Sequence, residues 1–273
     1  MPELPEVETI RVNLIQGTEN YPSIIGKAIL RAQILWDRCL VTPSADKFTL
    51  RIVGQTIQGI NRRGKYLVFQ LTKDYLLIHL RMSGDILIEE QEPANKHLRM
   101  LLFLDDGYCL AFNDARKFGR VWLVGDAREI LSSLGPEPFD EILTPTEFHC
   151  RVTAHNRQLK PLLLDQSFMA GMGNIYTDEA LHLAGLHPLS KSNQLTLEES
   201  ERLLMSIRQV LDDGIKRNGA SIDWVFRGGN YQNYFCVYQR TGKPCYRCGH
   251  PIERILSGQR GTHYCPKCQP FRD

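Results

Sequence analysis

A chain of 273 residues has room for one large or two to three smaller domains, and a hydrophobic content of 42% suffices for a sizeable buried core. No apolar run reaches membrane-span length and no basic stretch leads into an apolar one at the start, which excludes a spanning helix and predicts a cytoplasmic protein without a signal peptide. The formal net charge is only +2, from 33 Lys and Arg against 31 Asp and Glu, so a nucleic-acid partner would have to be held by clustered cations.

The opening MPELPEVETI places a proline directly after Met1 and a glutamate after that, then begins a helix. Pro5 suits a first helical position, and Val7, Ile10, Leu14 and Ile15 recur at helix spacing. If Met1 is removed, as a small second residue usually permits, Pro2 becomes a free secondary amine beside Glu3. That is either a catalytic device or a helix entry. From residue 27 to about 124, apolar runs such as YLVFQL, YLLIHLRM and LRMLLFL are separated by turn signals such as Asp105-Asp106-Gly107, the pattern of an all-β sandwich or barrel.

After LGPEPF at 134–139 the texture becomes helical. Thr144, Pro145 and Glu147 spell a capped helix start, and Thr196 with Glu199 a second capping box. The stretches LKPLLLDQSFMAG and NIYTDEALHLAG each end in glycine, and Leu203, Leu204, Ile207, Val210 and Leu211 form an apolar stripe. The expected organisation is therefore a sandwich domain over 1–132, a helical domain over 133–236 and a small Cys-rich unit over 237–273.

Cys245 and Cys248 form one Cys-x2-Cys knuckle, and Cys265 with Cys268 a second, sixteen residues apart. Four thiolates at this spacing close a tetrahedral shell around one zinc ion and leave no open position, so the zinc is structural. His250 and His263 lie close by and are read as bystanders. The scattered Cys39, Cys109, Cys150 and Cys236 are read as small buried apolar side chains. Between the knuckles, ERILSGQRGTHY predicts a β-hairpin with Gly258-Gln259-Arg260-Gly261 at its tip, where an arginine suits phosphate contact or is simply solvated. Backbone N–H groups near Asn174, after the turn Gly171-Met172-Gly173, suit a phosphate too, although most such turns only stop helices.

Taken together, MPELPEVET, RRGKYL, HLRMSG, DARKFGR, LGPEP, LKPLLLDQ, GMGNIYTDEAL and GQRGTHYCPKCQ occur in an order that resembles the formamidopyrimidine-DNA glycosylases nearly end to end. The resemblance implies a multidomain fold: an N-terminal β-sandwich with an N-terminal helix, a helix–two-turn–helix domain and a zinc-finger hairpin, with DNA between them. It also implies a monomer that removes oxidised purines from double-stranded DNA and cleaves the resulting abasic site by β,δ-elimination. Carried over by position, Pro2 is the Schiff-base nucleophile, Glu3 the acid/base at the sugar, Lys65 the proton donor in β-elimination and Arg260 that in δ-elimination. Met82, Arg116 and Phe118 match residues that fill the gap left by an extruded base; His97, Arg116 and Asn174 match DNA contacts. Lys160 remains a candidate contact.

These residue types suit that chemistry. An α-amino group with a pKa of about 8 is neutral roughly a tenth of the time at pH 7, whereas an ordinary lysine is neutral about once in several thousand. Apart from the resemblance, Met82 and Phe118 read as core residues, Lys65 as a surface cation, and Glu8 as a charge favouring its helix N-terminus; Glu6 reads either way. Residues 221–238 depart from the family pattern, which bears on lesion discrimination. Two other readings are an endonuclease VIII-like enzyme for oxidised pyrimidines and a non-catalytic zinc protein that binds damaged DNA.

Overall fold

The computed structural model describes residues 1–90, 95–221 and 228–271. They fall into two compact units, one of residues 1–132 with 221–229 and one of 133–220 with 230–273.

The first unit begins with α1 (Leu4–Gln16), for which Glu3 is the N-cap. Glu6 closes a capping box by accepting the Glu3 N–H at 2.8 Å. Two sheets follow. One has the order β1 (Ile29–Ile34), β7 (Leu98–Leu104), β8 (Cys109–Asp114), β6 (Gly84–Glu89); the other has β2 (Leu40–Thr42), β9 (Arg120–Val124), β5 (Tyr75–His79), β4 (Tyr66–Leu71), β3 (Ile57–Arg63).

Strand alternation builds the core between them. Leu67, Phe69 and Leu71 of β4 meet Met100 and Leu102 of β7 and Leu110 and Phe112 of β8, with Val7, Ile10 and Leu14 of α1 and Phe48 and Ile52 of α2 (Ala45–Ile52) added to the same cluster. The intervening Val68 points to the other face, against Trp122 and the short α3 (Arg128–Leu131). The arrangement is a sandwich, one of the two forms the apolar runs allow and the one the resemblance implies.

In the second unit, α4 (Pro145–Thr153), α5 (Leu159–Leu163), α6 (Asn174–Ala184) and α7 (Leu197–Lys216) precede a hairpin of β10 (Glu253–Ser257) and β11 (Arg260–Tyr264). The stripe read on α7 is fully buried, and the Thr196–Glu199 box forms with both bonds at 3.1–3.2 Å. The box at α4 is only half made. Thr144 accepts the Glu147 N–H at 3.2 Å, but its own N–H donates to the Ile142 carbonyl instead.

Gly185 ends α6 in the left-handed region, as read, but α5 stops well short of Gly171. The Asp165 carboxylate takes the Ser167 N–H at 3.0 Å, and Gln166 takes the Gly171 N–H while donating to the Leu164 and Met172 carbonyls. These side chains offer the backbone an alternative to helix. Cys150 corrects another expectation: Cys39 and Cys109 are buried and Cys236 partly so, but Cys150 is exposed. Phe148 and Val152 take the inward face of α4, which turns the residue midway between them outward. In the hairpin, Gly258 and Gln259 both have positive φ, +54° and +62°, as a two-residue type I′ turn requires. Arg260 therefore begins the return strand opposite Ser257.

Glu8 does more than favour a helix end. Its carboxylate pairs with Arg11 at 2.6 Å and with Arg62 of β3 at 2.9 Å, joining α1 to the sheet. Burial pushes its pKa up, but the two guanidinium groups outweigh this and leave it below the usual range. A group depressed on folding contributes stability above its unfolded pKa of about 4.3 and loses it as pH falls through the folded value. Glu8→Gln is expected to cost about 1 kcal/mol in urea unfolding at pH 7, since the pair is half-buried and partly screened. The gap to wild type should close below about pH 4; a pH-independent difference would mean that the charge is not what matters.

Candidate active site and DNA-contacting loops

Met1 is 41% exposed, whereas Pro2 and Glu3 are buried. Two ties set where they lie. Glu8 binds Arg62, and one turn later Arg11 donates to the Ile60 carbonyl at 3.4 Å, so α1 and β3 run antiparallel. The start of α1 therefore lies towards the β3–β4 turn, which is Gly64-Lys65. Gly64 takes φ +57°, its carbonyl accepts from Arg62 at 3.0 Å, and Lys65 is 5% exposed rather than a surface cation. The sandwich thus carries Pro2, Glu3 and Lys65 at one end. Glu6, which the sequence leaves open, is fixed on the backbone of Glu3.

Met82 and Phe118 are 37% and 45% exposed, so neither is a core residue. Both sit on short loops at the ends of strands. At the end of β5, buried His79 accepts the Arg81 N–H on Nδ1 at 3.0 Å; burial, with Arg81 and Lys65 nearby, lowers its pKa to about 3 and keeps the ring neutral. Arg81 takes φ +54°, and the Gly84 N–H returns to the Leu80 carbonyl at 2.9 Å, so Met82 rides on a closed turn.

Between β8 and β9, the Asp114 carboxylate accepts the Arg116 N–H at 3.1 Å and the Gly119 N–H at 2.7 Å. Gly119 allows this closeness, since a Cβ there would meet the Phe112 ring at 2.3 Å. Asp114 also accepts from the Ser83 hydroxyl. One buried carboxylate therefore joins the Met82 loop to the loop bearing Arg116 and Phe118. Arg116 stands over the Phe118 ring at 5.0 Å, and His97, partly exposed, lies just before β7, its carbonyl accepting the Asp114 N–H at 2.8 Å.

In the second unit, Asn174 is the first residue of α6 and donates through Nδ2 to the Gly261 carbonyl at 3.2 Å. Lys160 donates to the same carbonyl at 3.0 Å and to Asp178 at 2.6 Å, with both side chains wholly buried. Asp178 in turn accepts the His263 N–H at 2.9 Å and faces its ring nitrogen at 3.3 Å. Lys160 is thus spent inside the protein, and its work is to hold the hairpin on which exposed Arg260 sits.

The four finger cysteines place their Sγ atoms within 4.8 Å of one another, with Cys248–Cys265 at 3.4 Å and Cys245–Cys268 at 3.9 Å. A Zn–S length of about 2.3 Å implies a tetrahedral edge of about 3.8 Å, so the thiolates fit one zinc. Neither His250 nor His263 is among the cluster.

Residues 1–121, 134–225 and 242–270 match, in turn, the formamidopyrimidine-DNA glycosylase N-terminal domain, the formamidopyrimidine-DNA glycosylase H2TH domain and the zinc finger found in FPG and IleRS. The chain belongs to the formamidopyrimidine-DNA glycosylase family. The formamidopyrimidine-DNA glycosylase of Protochlamydia amoebophila is 43% identical over 279 residues, 98% of this chain and 99% of the relative. That of Enterococcus faecalis is 39% identical over 100% of this chain and 98% of the relative. Among solved structures, the Lactococcus lactis glycosylase bound non-covalently to DNA containing an AP site has a TM-score of 0.90 at 37% identity, and its complex with N7-benzyl-Fapy-dG DNA a TM-score of 0.91 at 37%. Each match covers 99% of this chain and 100% of that one.

Within this family fold, the stretch 221–238 that departs from the pattern falls partly outside the described residues, at 222–227. Of the remainder, Tyr231 stacks on Tyr176 at 5.3 Å, and Cys236, Val237 and Tyr238 donate their N–H groups to Glu179. Sequence reasoning passed over Asp114, Ser83 and Asp178. The only signal for Asp114 was its place at the head of DARKFGR.

Asn at position 114 would turn an amide NH2 towards a backbone N–H that now finds an oxygen. Asp114→Asn is expected to slow excision of a damaged base on the order of 10-fold, and to slow nicking of a preformed abasic site less, since that nucleotide costs less to extrude. Equal losses on both substrates would separate Asp114 from any role of these loops in base extrusion. Lys160→Met leaves Asp178 buried without its cation and is expected to cost about 3 kcal/mol or more in urea unfolding; a neutral result would mean that the pair contributes nothing net.

Proposed function

We infer that this chain is a base-excision repair enzyme that removes oxidised purines, formamidopyrimidines and 8-oxoguanine among them, from duplex DNA and cleaves the abasic site by β,δ-elimination. Pro2 performs the attack. Removal of Met1 frees its secondary amine, which adds to the sugar C1′ as the glycosidic bond to the base breaks, and opening of the sugar ring then leaves an iminium ion joining Pro2 to C1′. Glu3 passes a proton to the ring oxygen as the ring opens. The iminium is an electron sink: the proton on the neighbouring carbon becomes acidic, and its loss expels the 3′ phosphate, with Lys65 as proton donor. Arg260 serves the second elimination.

Reaching C1′ requires the nucleotide to leave the stack, at a few kcal/mol. Met82 and Phe118 fill the gap, and the Arg116 guanidinium hydrogen-bonds the orphaned base. His97, Arg116 and Asn174 contact the DNA. The acting species is a monomer. The observation that supports this reading most directly is the capping of α1 by Glu3, the residue after Pro2, at the end of the sandwich where Lys65 lies buried.

The pyrimidine-type alternative is not favoured by an end-to-end match to the purine-type family. A structure of the L. lactis glycosylase with DNA containing an oxidised pyrimidine, TM-score 0.91 at 36% identity, makes the lesion comparison informative. Borohydride should trap wild-type protein on abasic-site DNA, and Pro2→Gly or protein retaining Met1 should lose most of the adduct. Excision from 8-oxoguanine:C should exceed that from thymine-glycol:A. Absence of the adduct in wild type would end the lyase assignment, and dominant thymine-glycol activity would end the purine assignment.

A further inference from the structure

The zinc site has a neighbour that does not belong to the finger. His182, in the last turn of α6, is 2% exposed and places Nε2 3.5 Å from Cys245 Sγ. A zinc-bound thiolate carries no proton and can only accept, so the ring nitrogen facing it must carry the hydrogen. We propose that His182 donates its Nε2–H to the Cys245 thiolate and acts as a positioning residue of the zinc site, supplied by the helical domain rather than by the knuckles.

Other contacts fix the approach. The Arg247 N–H, from inside the first knuckle, lies 3.4 Å from the same sulfur, giving Cys245 a second donor. The Arg247 side chain donates to the His182 carbonyl at 3.1 Å and the Leu183 carbonyl at 3.2 Å, placing a cation on the carbonyl end of α6. The first knuckle is thereby clipped to the helix by its arginine and its thiolate. Cys245 is 3% exposed, so its sulfur has few solvent partners and a protein donor matters more. Hydrogen bonds to a ligating group typically change metal affinity by about 10- to 100-fold. Here the bond draws charge off the sulfur, which slows its protonation and release, and makes retention of the metal depend on the seating of the finger against α6.

The test uses the full-length zinc protein, with metal content confirmed at one per chain. His182→Phe removes the donor while keeping a planar ring, and His182→Gln returns an N–H at a similar reach. Zinc transfer to 4-(2-pyridylazo)resorcinol should be about 10-fold faster in the Phe variant and largely restored in the Gln variant. In the cobalt-substituted proteins, the sulfur-to-metal charge-transfer bands should move to lower energy for Phe and return towards wild type for Gln. Unchanged release in both variants overturns the proposal. So does faster release with unmoved bands, which would make His182 a packing residue only. Should the Phe variant fail to fold, imidazole 15N correlation spectra of wild type decide, since a ring protonated on Nδ1 alone has no hydrogen to donate. A zinc-free wild type would instead refute the metal assignment itself.

Discussion

A carboxylate taken out of water has to find donors inside the protein, and this fold turns that obligation into architecture. Asp114 gathers a hydroxyl from one loop and two backbone N–H groups from another. Asp178 takes an ammonium from α5 and a backbone N–H from β11. Glu179, its neighbour on α6, receives three consecutive N–H groups from 236–238, the segment leading into the finger. Glu6 takes the N–H of Glu3. In three of these cases a side chain on regular structure organises an irregular stretch, while Asp178 ties the hairpin strand β11 and α5 to α6. Loops have few backbone partners of their own, so a buried anion with several lone pairs fixes them with few residues.

The same logic explains why α6 carries so much. Its first residue, Asn174, reaches the Gly261 carbonyl; Asp178, one turn later, reaches His263; Glu179 takes the backbone at 236–238; and His182, in the last turn, reaches the first knuckle. Spacings of four, one and three residues spread these groups around and along the helix, so the finger is touched at its entry, its hairpin and its metal site. A unit with so little apolar core of its own gains from this as well as from zinc. The hydrophobic cluster at the finger is small: Val237, Ile252 and the cysteines themselves.

Much of this was legible in the sequence where the signal is local. The α7 stripe, the Thr196 box, the apolar run YLVFQL and the two Cys-x2-Cys knuckles are patterns that a short window contains, and all four appear in the fold. The sequence is silent where a side chain's partner lies elsewhere in the chain. Glu8 meets Arg62, Ser83 meets Asp114, and His182 meets Cys245 across separations of 54, 31 and 63 residues. Composition gave no hint of these pairs. Lys160 shows the difference most clearly: in sequence it is a cation next to a proline, and only burial beside Asp178 shows that its charge faces inward.

That difference also decides how the positive charge is to be read. With a net charge of +2, the chain has few cations to spare for phosphates. The fold uses several internally: Arg62 on Glu8, Lys160 on Asp178, and Arg247 on the end of α6. Arg99 is buried too, donating to the carbonyls of Asp114, Leu98 and Lys96 behind the loop that bears Arg116 and Phe118. The basic clusters seen in sequence are therefore mixtures. In RRGK, Arg62 is structural while Lys65 lies at the amino-terminal end of the sandwich; in DARKFGR, Asp114 is the anchor and Arg116 the exposed group. In the second cluster, buried Asp114 holds the loop from which Arg116 and Lys117 are exposed, which is one way a nearly neutral protein can present cations at fixed places.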